Sequence, residues 1–162
     1  MWSNLVIKFN KIMKPIYLFI LSLVPNLIVS QEINLNTPSE ITLEFIKDFK
    51  KWNDYAYNLS LEKSDNDELI ELEYKKIISK FCKENKIHQG ISFGSHSNHS
   101  PEFEKTTKAI VKKESAIIKT KFIDPSNSFR NANYEYHFIK IENKWLLEEV
   151  YLVDKDGKYE GL

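Results

Sequence analysis

The chain has 162 residues, with 23 Lys and Arg against 23 Asp and Glu and a pI near 6.9. That balance excludes a generally basic nucleic-acid binder, and the single cysteine, Cys82, excludes a disulfide within one chain. What remains after the N-terminal leader described next is one domain's worth of chain.

Residues 1–30 carry Lys8, Lys11 and Lys14, no acidic residue, and an apolar run that Pro25 and Asn26 interrupt. This is the pattern of a secretory signal peptide, and the run falls short of the ~20 residues a membrane-spanning helix needs. Cleavage is expected near Ser30–Gln31, with Met13 as an alternative initiator. The expected organisation is therefore a signal peptide over 1–30 and a mature domain over 31–162, exported to the periplasm or secreted, with no stable membrane span after cleavage. The mature chain keeps 20 basic and 23 acidic residues, a formal charge of 20 − 23 = −3. The competing reading of the leader is a buried N-terminal helix.

Thr37-Pro38-Ser39-Glu40 is a helix start: Thr37 caps, Pro38 fits the first turn, and Glu40 completes a capping box. Behind it Ile41, Phe45, Phe49, Trp52, Ala56 and Leu59 recur every three or four residues, which predicts an amphipathic helix from 38 to about 58. A second polar start at 64–68 precedes Ile70, Tyr74, Ile77, Ile78 and Phe81, a helix expected to end near Lys83–Lys86, with Cys82 a small core side chain. After Gly90 the period changes. Ile91–Phe93 reads as a short strand and 94–101 as a polar loop; strands follow over 105–111 and 116–123. Residues 101–108 also admit a helical start at Ser100-Pro101-Glu102. Two β-rich runs flank Glu142-Asn143-Lys144, a hairpin with Asn where a left-handed backbone is needed. Asp154–Gly157 reads as a turn, since its Gly stands too early for a calcium loop. Two helices followed by antiparallel strands predict an α+β fold, with Trp52 and Trp145 in or near the core and a cone between the helices and a curved sheet.

Ile91–Ser95, Ser100–Glu102, Ala116–Lys121, Tyr134–Tyr136, Lys144–Leu147 and the ending Val153–Glu160 occur in the order that resembles bacterial immunity proteins of nuclear-transport-factor-2-like fold. The resemblance covers roughly 37–161 and rests on residues that keep the fold. It implies a non-catalytic protein that neutralises a cognate toxin domain by binding it.

The titratable residues supply no catalytic constellation. His88, His96 and His99 crowd one region, yet no Cys or acid stands between His88 and Pro101, so they read as a solvated loop with possible partner contacts rather than as a metal site. Asp54, Tyr55 and Tyr57 on the first helix, with Tyr134, Tyr136 and His137 on the sheet, are what a lyase or isomerase would use inside the cone. That defines the alternative function, a secreted small-molecule binder or lyase/isomerase, but no spacing ties these residues together. Phe129 beside Arg130, the chain's only arginine, pairs two residue types common at interface hot spots, or else anchors its loop. The candidate toxin-binding residues are thus His96, His99, Phe129 and Arg130. Lysines at 105, 108, 112, 113, 119 and 121 suit an acidic protein surface or a solvated edge. No aromatic interleaving marks them as a nucleic-acid site, and neither cofactor nor metal is expected.

Overall fold

The capping box forms as the sequence predicts. In a computed structural model describing residues 37–62 and 66–162, the Thr37 hydroxyl accepts from the Glu40 amide at 3.2 Å and the Thr37 amide donates to the Glu40 carboxylate at 3.0 Å. The expected signal segment lies outside the described residues. From this cap α1 runs over Pro38–Ser60, and α2 follows over Asp67–Phe81. Their apolar stripes face each other, and the Trp52 indole N–H donates to the Ile70 carbonyl at 3.1 Å, fastening the two helices. Lysines 47, 50 and 51 face water, paired with Glu44, Asp54 and Asp48 on the same helix.

Five antiparallel strands form a curved, unclosed sheet in simple sequence order: β1 Glu104–Val111, β2 Ser115–Phe122, β3 Ala132–Ile141, β4 Lys144–Val153 and β5 Lys158–Glu160. The helices cover one face. On β2 the residues Ala116, Ile118, Thr120 and Phe122 are buried against them while Lys119 and Lys121 point away, as strand alternation requires. Bulges interrupt β1 between Thr106 and Lys108 and the β3–β4 pair at His137–Phe138, devices that bend and twist a sheet. Glu142 and Asn143 both take positive φ, 48° and 67°, the two-residue turn that matches the twist of its flanking strands. Phe45, Tyr136, Phe138, Ile118 and Leu147 fill the space between helices and sheet.

One expectation of the fold needs correction. Ile91–Phe93 is not a strand: the Gln89 amide donates to the Leu162 carbonyl and Gly94 bonds the Asn53 side chain, so no strand partner is engaged. The segment after the Asp154–Gly157 turn forms a short strand, β5, that has no apolar run to announce it. Both tryptophans lie where expected: Trp52 is buried in the core, and Trp145 packs against it, partly buried, with the Lys140 ammonium 5.4 Å from its ring centre. Trp52→Ala is therefore expected to cost about 3–5 kcal/mol in urea unfolding, and Trp145→Ala clearly less. Equal losses would mean that the two rings carry equal packing.

Candidate functional site at the loop end of the sheet

Glu104 opens β1 with its side chain turned inward, because its register partner is the core residue Phe122, and it is only 1% exposed. A buried carboxylate needs a donor for each oxygen. Oε1 accepts from the Thr120 hydroxyl at 2.5 Å and the Tyr136 hydroxyl at 2.7 Å. Oε2 accepts from His99 Nδ1 at 2.8 Å, with the Tyr136 oxygen 2.9 Å from the same nitrogen. That contact fixes the Nδ1–H tautomer, and His99 itself is buried between the rings of Phe49 and Tyr134, at 4.8 and 4.5 Å. Burial, followed by the Glu104 charge, raises the Tyr134 and Tyr136 hydroxyl pKa values, so both remain donors at neutral pH. Tyr134 spends its proton on the Asn98 carbonyl at 3.1 Å. One carboxylate thus ties the 95–100 loop to β1, β2 and β3.

A second device holds the neighbouring loop. Between β2 and β3, Asp124 Oδ1 accepts from the Ser126 amide and hydroxyl at 2.8 and 2.6 Å and from the Asn127 amide at 3.2 Å. Its other oxygen pairs with Arg130, whose second guanidinium nitrogen reaches the Ser97 carbonyl at 2.6 Å. Hydrogen bonds from Ser126, with the Arg130 charge beside them, hold the Asp124 carboxyl below its ordinary range. The guanidinium also lies 5.4 Å from the Phe122 ring centre. Arg130 therefore locks loop 124–131 to loop 95–100. Within the clamp Ser128–Arg130 forms one 3-10 turn, capped by Asn127, and carries Phe129 with its ring 99% exposed. Phe103 and Ile123, joined by a backbone hydrogen bond at 3.0 Å, sit at the same end of the sheet and are 37% and 49% exposed.

The model of the family described as NTF2 fold immunity protein matches residues 37–160. The chain belongs to that family. No curated protein and no solved structure matches it. The matched span contains both helices, the whole sheet and both clamped loops, so the features above lie within the immunity fold.

The four sequence-predicted contact residues part company in this immunity domain. Phe129 and His96 are exposed, His96 holding only its neighbour Ser95 at 3.0 Å. Arg130 is committed to Asp124 and Ser97, the anchoring role. His99 is not solvated, since Glu104 and Tyr136 draw it into the interior, and it cannot pair with His96 as a metal ligand. Among the described residues no three His, Cys, Asp or Glu side chains are grouped to hold a metal, and no helix is long and apolar enough to cross a membrane. The lyase candidates do not converge either: Asp54 is paired with Lys50, Tyr55 is exposed and Tyr136 is sealed in the network. Cys82 is buried, and burial pushes its thiol up to about 12, far from a reactive thiolate.

His99 and Tyr134 also border a cavity of about 250 Å³ at the cone's mouth, with Phe49, Trp52 and Glu160. The Glu160 carboxylate is taken up by Gln89 at 2.9 Å, and no hydrogen bond joins His99 to another titratable group of the cavity. The signals that sequence reading missed are Asn53 and Glu104. Asn53 pairs with both backbone groups of Gly94, at 2.8 and 3.1 Å, and so starts the 95–100 loop.

The outward face of the sheet has its own charge centre. Glu135 on β3 is almost enclosed by Lys119 at 2.6 Å, Lys158 at 2.5 Å and His137 at 3.0 Å. Burial pushes its carboxyl up, but these hydrogen bonds outweigh it and hold the pKa at about 2, from an ordinary 4.5. A carboxyl depressed by folding stabilises the fold above its unfolded pKa and loses that contribution as pH falls through the folded value. Stability should therefore decline between about pH 4.5 and 2. Glu135→Gln should flatten that decline in acid-titrated urea curves, and an unchanged acid slope would count against it.

Proposed function

We propose that this immunity protein binds a cognate toxin domain and neutralises it by occlusion, without catalysis, through the loop end of its sheet. The observation that carries this reading is Phe129, an aromatic ring wholly in water on a turn that the Asp124–Arg130–Ser97 clamp holds rigid. Exposed aromatic surface gains nothing for the fold. A pre-ordered aromatic, however, lowers the entropy lost on association and is the commonest kind of binding anchor. His96 stands on the adjoining loop as a polar neighbour. The alternative reading, a small molecule held or transformed in the cone, has one oriented histidine in its favour. Acid–base chemistry on a substrate needs a second group placed against the first, and the one carboxylate of that cavity, Glu160, is already held by Gln89.

Co-expression with the toxin encoded by an adjacent gene should restore growth, and the two proteins should co-purify. Phe129→Ala should weaken the complex by about 30-fold, the ratio equivalent to a hot-spot loss of about 2 kcal/mol, while leaving the unfolding midpoint unchanged. Full affinity in that variant would move the interface elsewhere, and absence of both rescue and complex would end the immunity reading.

We also propose that the protein acts outside the cytoplasm, on the strength of the signal-like residues 1–30. Protein recovered from the cell envelope should then begin near Gln31 by N-terminal sequencing. A full-length chain recovered from the cytosol is the contrary result.

A further inference from the structure

Resting on that reading of the loop end, we infer that the toxin surface recognised there is acidic, and that the outward face of β1–β3 is the basic half of the interface. Register sets the geometry. Across the three strands the outward rows run Lys105–Lys121–Asn133, Lys108–Lys119–Glu135 and Ile110–Ile117–His137. Four lysines thus stand against one carboxylate, although residues 31–162 together carry more acidic than basic side chains. Glu135 is already saturated by Lys119, Lys158 and His137. Lys105 donates to the Pro101 carbonyl at 2.6 Å and lies within electrostatic reach of Glu102, while Lys108 and Lys121 have no acidic partner among the described residues.

Edge protection does not account for this face. Lysines on the open strand β1 would discourage strand pairing, but Lys119 and Lys121 belong to β2, which is paired on both sides. Nor does a phosphate backbone fit best. The one arginine, the residue that grips phosphate in a bidentate fork, is consumed by Asp124 and Ser97. The row nearest the loop, Lys105–Lys121, instead abuts the register pair Glu104–Phe122, next to exposed Phe103 and Ile123. Apolar anchors beside a charged, solvated field are the anatomy of a protein interface, in which the charges steer encounter and the anchors hold. The complementary toxin face is an apolar recess bordered by Asp and Glu. A basic, phosphate-gripping cleft would be repelled by this field, so such a cleft is not what the protein covers.

The test uses the mature protein and the purified toxin domain encoded by the adjacent gene, with association rates measured from low to high salt. The wild-type on-rate should fall steeply as salt rises. The triple variant Lys105→Glu/Lys108→Glu/Lys121→Glu should lose at least tenfold in on-rate at low salt. Lys83→Glu, at the far end of α2, should lose little, and matching unfolding midpoints would show that all variants are folded. A wild-type complex with a salt-independent on-rate, or a triple variant that associates normally, overturns the acidic-face inference and leaves the immunity reading standing. Binding of a 20-base-pair DNA or RNA duplex by the wild type in place of the toxin, lost in the triple variant, overturns it in favour of nucleic acid. No complex between wild type and toxin removes the underlying reading and this inference with it.

Discussion

The buried Glu104 carboxylate is the constraint on which the loop end of the sheet depends. An ion taken out of water costs several kcal/mol unless its oxygens are fully bonded, and removing one partner of such a group is more damaging than never having built it. Here the donors come from a loop (His99), from β2 (Thr120) and from β3 (Tyr136). The carboxylate is satisfied only when those three segments and the start of β1 are in register. Bulk hydrophobic packing would tolerate small sliding between sheet and loop, whereas the geometry of three short hydrogen bonds to one carboxylate does not.

From that centre, order passes outward in two steps. His99 fixes the 95–100 loop from inside, Asn53 of α1 fixes its beginning at Gly94, and Arg130 then uses the Ser97 carbonyl of the ordered loop to hold its neighbour. Asp124 gathers the Ser126 and Asn127 amides around the same guanidinium. Rigidity at Phe129 is therefore inherited from the core. The exposed ring and the outward lysines can be replaced without disturbing the network beneath, because neither contributes to it.

The elements governed by local periodicity were legible in the sequence. The capping box, both helix stripes, the turn at Glu142–Asn143 and the alternation along β2 each follow from spacing alone, and the α+β layout follows from their order. What was not legible depended on distant partners. Ile91–Phe93 has strand composition, but its flanking backbone groups are claimed by Leu162 and Asn53. β5 is made of Lys158, Tyr159 and Glu160, with no apolar signal, and exists because β4 offers an edge. At the site, Phe129 and Arg130 could be named from residue type, yet their opposite fates turn on Asp124 and Ser97, one of them 33 residues away. His99 looked like its solvated neighbours because nothing local distinguishes it from His96. Its partners Glu104 and Tyr136 stand 5 and 37 residues downstream, and the bulge-ridden β1 gives no alternation from which Glu104 would read as inward-facing.

The same contrast separates two uses of charge in one small domain. Glu104 and Asp124 are carboxylates whose donors come from the protein itself, and they serve to position. Lys108 and Lys121, on the outward side of β1 and β2, are cations with no acidic partner among the described residues, and they remain hydrated. Hydrated charges separated by several ångströms add little to folding stability, so a like-signed group of them on a paired inner strand is a cost that packing does not require. The interior of the site satisfies its own charges, whereas on the outer face Lys108 and Lys121 have no acidic partner among the described residues. That asymmetry fits a scaffold selected to present a surface more readily than one selected to enclose a substrate.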